Sequence, residues 1–323
     1  MTVEKHVRNY GSTYKFIRQA KKISQLKVTK ETMSRSALSK FEHNKQTIYL
    51  DNFLNLVEEL QLSVPEFLFI NNDYTFMPRD QLKDKFYCAH FKGDLCSCGE
   101  LSKEIDHYLK SNPDWYLEKK KEYIDILINL ENDTRGEQFK KVESLAFEIW
   151  KRIDKNDEWF MNDLQLLNII IYYLPKNIRQ RTLTRMLARL EDYKELDRTE
   201  VVLSSFQLNI SLIYIQEGQL DKAAKIADPA LKSAHNNRRY DIYIVGLIRK
   251  GIATKNFLLI HEGIQLAYQL KDQRLLHLLN IEIINNLPSY FTKHPEDIKK
   301  IQWQKEHSEL LSFNINGYYW FAL

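Results

Sequence analysis

The sequence predicts an all-α protein in two parts, a basic head of five helices over residues 1–70 and a long body of stacked helix pairs over 113–323. Three observations carry that prediction. Glycine (9) and proline (7) are scarce for 323 residues, while Leu, Ile, Lys and Glu recur throughout, so helix breakers are few and helix formers many. Apolar residues return at helical spacing through most of the chain, with short polar turns such as Asn156-Asp157 and Asn236-Asn237 between the runs. The length allows two or three domains and a sizeable core.

Composition also excludes several classes. No apolar run reaches the roughly 18–20 residues of a membrane span. The greasiest stretch, Leu164–Leu174, is interrupted by Asn168 and ended by Pro175. The opening residues MTVEKHVRNY lack the apolar centre of a signal peptide. Three cysteines in a chain of this size argue against a disulfide scaffold. A soluble, cytoplasmic chain without membrane contact is therefore expected. Phosphate-cradling glycine loops, a zinc-protease H-E-x-x-H and a G-x-S-x-G nucleophile turn are all missing from the sequence, and the nine histidines form no helix-spaced pair beside a carboxylate. Neither a catalytic residue nor a cofactor is expected.

Charge is distributed unevenly. Residues 1–50 hold eleven Lys and Arg against three Asp and Glu, a charge of +8, whereas the whole chain carries +4 and the remainder therefore −4. A basic head on a mildly acidic body suits a polyanionic partner, or else is a solvated lysine-rich surface.

The order of residues in the head sharpens this. Ile17, Ala20 and Ile23 form a first apolar stripe. Ser24 caps a short second helix with Leu26 and Val28, and Ser34 caps a third over Arg35–Glu42. In that third helix Ala37, Leu38 and Phe41 fall on one side, and Arg35, Ser36, Ser39 and Lys40 on the other. Two cations among small hydroxyls differ from the Glu–Lys pairs of a merely soluble face. Arg and Lys reach guanine O6 and N7, and serines let a helix sit close to base edges. Leu50, Phe53, Leu56, Val57 and Leu60 mark a fourth helix, and Pro65–Ile70 a short fifth.

The run ISQLKVTKETMSRSALSKFEHNKQTI resembles the Cro/C1-type helix-turn-helix. More narrowly it resembles the N-terminus of the Rgg/GadR/MutR regulators, through Ile23, Ser24, Gln25, Ser34, Ser36, Leu38, Ser39, Lys40, Phe41 and Glu42. Leu50–Leu68 is similar to that family's fourth and fifth helices. Asn44 stands where the family has Gly, and asparagine also suits a left-handed helix end. The resemblance implies that Arg35, Ser36, Ser39 and Lys40 face the DNA major groove, with a phosphate contact as the rival role for Arg35. It implies phosphate contacts for Gln25 and Lys45, and an ion pair between Arg18 and Glu42 that holds helices together.

Residues 71–112 read as a linker, opening on the polar NNDYTFMPRD and its Pro78. All three cysteines lie here, so Cys88, His90, Cys96 and Cys98 offer a zinc set, although C-x-H and C-x-C are tight for a tetrahedron. A thiol redox pair at Cys96 and Cys98 is a second reading, and a surface turn without special chemistry is the plainest.

The body begins with Asn112-Pro113, read as cap and first residue of a helix. In LNISLIYIQEGQLDKAAKIADPAL, Tyr214, Gly218, Ala223 and Ala230 match the aromatic, turn and small-residue positions of a tetratricopeptide pair. Pro229 departs from that template and should kink or shorten the second helix. A TPR-like α-solenoid is the fold expected for 113–323. This region also resembles the Rgg C-terminal region, chiefly over Trp159–Leu174 and Leu208–Ala223. The resemblance implies a short hydrophobic signalling peptide bound on a concave face, with Asn209, Asn168, Arg152 and Asn280 as candidate lining residues. Amides suit that role because they both donate to and accept from a peptide backbone. It further implies a homodimer on double-stranded DNA, since one head offers one recognition helix for one half-site. Two other readings stay open, a DNA-binding regulator switched by metal or redox at Cys88–Cys98, and a helical scaffold for protein contacts.

Overall fold

Helix-forming sequence with few breaks gives seventeen α-helices and no strand among the described residues of the computed structural model. These are residues 9–29, 33–92, 95–130, 136–193 and 199–297; the side chains of 88, 90–92, 95–96, 130, 199–202 and 273–274 fall outside the description. The chain divides into two units, Met1–Lys83 and Asp84–Leu323.

The first unit holds α1 (Tyr10–Ala20), α2 (Gln25–Val28), α3 (Arg35–Glu42), α4 (Leu50–Glu59) and α5 (Val64–Asn71). Its core is Tyr14, Ile17, Val28, Leu38, Phe41, Leu56, Val57, Leu60 and Phe67. The caps at Ser24 and Ser34 form as expected, accepting from the Lys27 and Ala37 amides. One apolar expectation does not hold. Of the stripe Ile17, Ala20 and Ile23, the two isoleucines pack in the core, Ile23 from just past the helix, but Ala20 is exposed; α1 buries Gly11, Tyr14 and Arg18 besides Ile17. Leu26 and Leu50 are 65 % and 69 % exposed. A four-residue helix turns only one side inward, and Val28 takes that side in α2.

The segment read as a linker is largely helical. α6 (Pro78–Lys92) crosses from one unit to the other, and α7 (Leu95–Leu109) packs on α8 (Trp115–Leu130) within the second. Pro78 opens α6, where its missing N–H is no loss. α8 is capped by Asp114, not by Asn112: the Asp114 carboxylate accepts from the Tyr116 and Leu117 amides at 3.0 and 3.2 Å, while Asn112 donates back to the Tyr108 carbonyl.

The second unit continues with α9 (Glu137–Ile153), α10 (Met161–Ile170) with a 3-10 turn at Ile171–Tyr173, α11 (Lys176–Glu191), α12 (Thr199–Gln216), α13 (Leu220–Asn236), α14 (Tyr240–Thr254), α15 (Phe257–Gln269), α16 (Gln273–Asn286) and α17 (Ser289–Lys293). From α12 to α16 each helix packs on the next, and α12, α14 and α16 also touch across the pairs, the arrangement of a TPR-like repeat. Ala223, Ala227, Ala230 and Ala234 form one buried stripe of α13. Their small side chains let α12 and α14 close on it from both sides. α13 runs on through Pro229, which therefore removes one backbone bond without ending the helix.

One turn geometry joins these helices. Gly218, Arg238, Lys255 and Lys271 all have positive φ, and in each turn the next residue's N–H reaches back to a carbonyl of the preceding helix, as in Gln219 to Tyr214 at 2.8 Å and Arg239 to Ala234 at 2.9 Å. Only Gly218 announces this in the sequence. No helix among the described residues is long and apolar enough to cross a membrane.

Candidate nucleic-acid interface and inner polar row

α3 is locked at both ends before any partner is considered. Ser34 caps its start, and at its end Asn44 takes φ 58° while Asn44 N–H bonds Phe41 O and Lys45 N–H bonds Lys40 O, at 2.8 and 2.9 Å. Asn44 adds something that glycine cannot, because its side-chain oxygen accepts from the Ser12 amide and so ties down the first turn of α1. This close approach requires Gly11, whose added Cβ would collide with the Phe41 carbonyl. Leu38 and Phe41 point into the core, each worth roughly 1.5–3 kcal/mol of burial. That anchoring leaves Arg35, Ser36 and Lys40 exposed and Ser39 half-buried on one face.

Behind this face lies a chain of polar contacts. Arg18 makes a two-pronged bond to Glu42, Nε to Oε1 at 2.6 Å and Nη2 to Oε2 at 2.9 Å, with both residues buried. Its third arm donates to the Ile23 carbonyl. The bond to Glu42 raises the Arg18 pKa, so the guanidinium keeps its charge. The expected structural role of this pair is what the geometry shows. Gln25 extends the chain, donating to Glu42 at 2.8 Å and accepting from Arg35 Nε at 3.3 Å. Gln25 thus orients Arg35, a link that its spacing in the sequence does not disclose. Lys45 is exposed just past the left-handed turn.

In the second unit, two of the candidate asparagines meet. Asn168 on α10 and Asn209 on α12 are 7 % and 2 % exposed, and Asn209 Nδ2 donates to Asn168 Oδ1 at 3.4 Å. Arg249 on α14 reaches Asn209 Oδ1, also at 3.4 Å, and forms a two-pronged pair with Glu282 on α16. The result is a buried polar row across four helices of one layer. Tyr172 donates to the Asn209 carbonyl at 2.9 Å, and burial raises its phenol pKa so that it keeps its proton. Arg249 and Glu282 escape a reading of the sequence because a charged pair 33 residues apart has no local signature. Arg152 stands apart from the row, exposed with its guanidinium 4.0 Å over the Trp115 ring. Asn280 is half-buried on α16 and likewise outside the hydrogen bonds of the row.

Beside Tyr172 lies a cleft of about 810 Å³, lined by Phe139, Phe147, Tyr173, Pro175 and Arg179 among others. Phe139, Phe147, Tyr172 and Tyr173 share its walls with the polar Lys140, Glu143 and Ser144, and Arg179 is held there by Glu217 at 2.9 Å. Of the cysteine segment, Cys98 is buried on α7, which is not a surface turn. The side chains of Cys88, His90 and Cys96 lie outside the described residues.

Residues 154–245 match the family model of the HTH-type transcriptional regulator Rgg, C-terminal domain. No curated protein sequence matches the chain. Among solved structures, a candidate transcriptional regulator from Listeria monocytogenes EGD-e is similar with a TM-score of 0.64 at 18 % identity, over 90 % of this chain and 99 % of that one. The SHP pheromone receptor Rgg2 from Streptococcus dysgalactiae has a TM-score of 0.57 at 15 % identity, over 90 % and 99 %. PlcR from Bacillus thuringiensis, solved in complex with the peptide PapR7 and DNA, has 0.54 at 14 %, over 93 % and 98 %. At these identities the likeness is one of fold. The match covers both stretches that carry the sequence resemblance, Trp159–Leu174 and Leu208–Ala223: residues 154–245 are similar to the Rgg C-terminal domain, and the chain that bears them shares its all-helical fold with Rgg2.

Proposed function

We propose that this protein is a sequence-specific DNA-binding transcription regulator, acting as a homodimer and switched by a short hydrophobic peptide bound in its helical repeat domain. The observation that carries the first part is α3, whose face of Arg35, Ser36, Ser39 and Lys40 projects from a helix held by Leu38, Phe41 and the Arg18–Glu42 pair. Arg35 reads a base edge and Lys45 holds a phosphate, while Gln25 orients Arg35 and adds its own backbone-proximal contact. Rgg2 as a pheromone receptor and PlcR as a peptide and DNA complex support the same reading.

For the peptide, the support is the row at Asn168 and Asn209 beside a cleft whose walls mix four aromatic rings with polar side chains. Both amide bonds within the row are 3.4 Å long, near the outer limit for a hydrogen bond, so a peptide backbone offers these amides better partners. Because both amides are buried, binding has to part the neighbouring helices, and it shifts the population of helix arrangements rather than building a new fold. Arg152 and Asn280 serve at most as outer contacts of that peptide.

A mobility-shift titration with the DNA upstream of the protein's own gene tests the first part. Binding that weakens steeply with salt and is lost in the Arg35→Ala, Lys40→Ala double variant supports it. Binding indifferent to salt or to those changes favours the protein-scaffold reading. Calorimetry with short hydrophobic peptides encoded beside the gene tests the second part. Heat that disappears in Asn209→Ala supports the peptide, and no heat with any of them removes it.

A further inference from the structure

Outside both of these sites, the C-terminal end of the described chain gathers four metal-type donors. His261 on α15 and His294, Glu296 and Asp297 beyond α17 bring their ligand atoms within 4.8 Å of one another. We propose that these four residues form a binding site for a divalent transition cation of the zinc type.

The chemistry of the donors selects the cation. Two imidazoles with two carboxylates suit Zn²⁺ and its neighbours, whereas Mg²⁺ and Ca²⁺ prefer oxygen alone. Spacing agrees. His261 Nδ1 lies 3.0 Å from Asp297 Oδ2, and His294 Nδ1 3.2 Å from Glu296 Oε1. These are near the edge of about 3.3 Å in a tetrahedron whose metal–ligand bonds are about 2.0–2.1 Å. Either pair alone is an ordinary hydrogen bond; four donors converging is more than either pair requires.

The donors are also supported from behind. Tyr290 O–H donates to Asp297 Oδ2 and Gln265 Nε2 to Oδ1, which sets the orientation of that carboxylate. The His294 ring stacks on Tyr290 with centroids 4.8 Å apart and meets the edge of Phe257. Such backing is what holds first ligands in place in metal sites. Asp297 is fully buried while the His261, His294 and Glu296 side chains are 38 %, 28 % and 55 % exposed, so the site is anchored on one side and open to an arriving ion on the other. Binding replaces the direct contact between His261 Nδ1 and Asp297 Oδ2 with two bonds to the ion. The ion would tie the turn after α17 to α15 and close the 36-residue loop between His261 and Asp297.

The test uses the full-length, untagged protein stripped by a chelator and titrated with Co²⁺, then with Zn²⁺ in competition. The expected result is one Co²⁺ per chain with the visible absorption of a four- or five-coordinate ion and no thiolate charge-transfer band. Zn²⁺ displaces it, and Mg²⁺ or Ca²⁺ in excess does not. Tyr290→Phe weakens binding about tenfold by removing a supporting hydrogen bond. His261→Asn and His294→Ala each abolish saturable binding; His261 is exposed enough that its variant folds, which circular dichroism confirms. The proposal is overturned by an absence of saturable binding, by binding that survives the His261→Asn, His294→Ala double variant, or by a thiolate band, which would place the ion at the cysteines instead.

Discussion

Arg249 on α14 and Glu282 on α16 form a two-pronged ion pair, at 2.9 and 3.0 Å, with neither side chain in contact with water. Two ions in so dry a place stay only because each satisfies the other. Removing one partner leaves an uncompensated buried charge, at a cost of about 3–5 kcal/mol. Glu282→Leu or Arg249→Met should therefore lower the stability of the repeat domain by that amount. The double variant should regain most of the loss, since apolar residues of similar volume need no partner. A double-mutant cycle by urea denaturation checks this, and additive losses would contradict it.

Gly11→Ala should destabilise the head, although alanine is the better helix former by about 1 kcal/mol. The new methyl would run into the Phe41 carbonyl and crowd Asn44 Oδ1, the cap of the first turn of α1. Forced overpacking of this kind costs roughly 1–3 kcal/mol. Thermal unfolding of the isolated head transition reads the outcome, and a raised midpoint would show that α1 and α3 are not in contact there.

If α3 enters the major groove, the cations of the head should fail in different ways. Lys45→Ala should reduce the slope of log K against log salt by about 1 and weaken all sequences alike. Arg35→Ala should cost about 1–3 kcal/mol and relax the preference at a single base pair. Fluorescence anisotropy with a panel of single-base operator variants over a salt series separates the two. Gln25→Ala should resemble a milder Arg35→Ala, because it releases the Arg35 side chain.

His277 provides a pH dependence. Burial disfavours its charged form and holds its pKa below the ordinary 6.5. The unfolded chain then takes up this proton first, so the stabilising contribution is complete above about pH 6.5 and declines as pH falls toward the folded value. His277→Gln should flatten part of the loss of stability between about pH 7 and pH 5. Denaturation midpoints of both proteins across that range check it; identical pH profiles would remove His277 as a contributor.

What was legible in the sequence was local. The helical class, the caps at Ser24 and Ser34, the inward Leu38 and Phe41 and the left-handed Asn44 each depend on a few neighbouring residues, so spacing and side-chain chemistry were enough. Even the Arg18–Glu42 pair was reachable, through a resemblance that covers the head. The failures were also instructive. Leu26 and Leu50 mark their helices correctly yet lie in water, since an apolar residue in a short helix is buried only if another helix covers its side. Asp114 displaced Asn112 as the cap of α8 because capping is decided by which oxygen faces the free amides.

By itself, then, the sequence determined the helical class, the two faces of α3 and the caps at Ser24 and Ser34, because backbone bonds within a turn and apolar periodicity act over three or four residues. In the repeat domain, the tertiary structure alone decided which polar groups meet across helices. Three of the repeat turns place Arg238, Lys255 and Lys271 in the left-handed region, a conformation that costs roughly 1–2 kcal/mol and is imposed by the packing of the helices they join. Asn168, Asn209, Arg249 and Glu282 come from four helices, and His261 reaches Asp297 across 36 residues. Contacts over such separations follow from how helices stack, and stacking is set by the summed burial of the whole layer rather than by any motif within it.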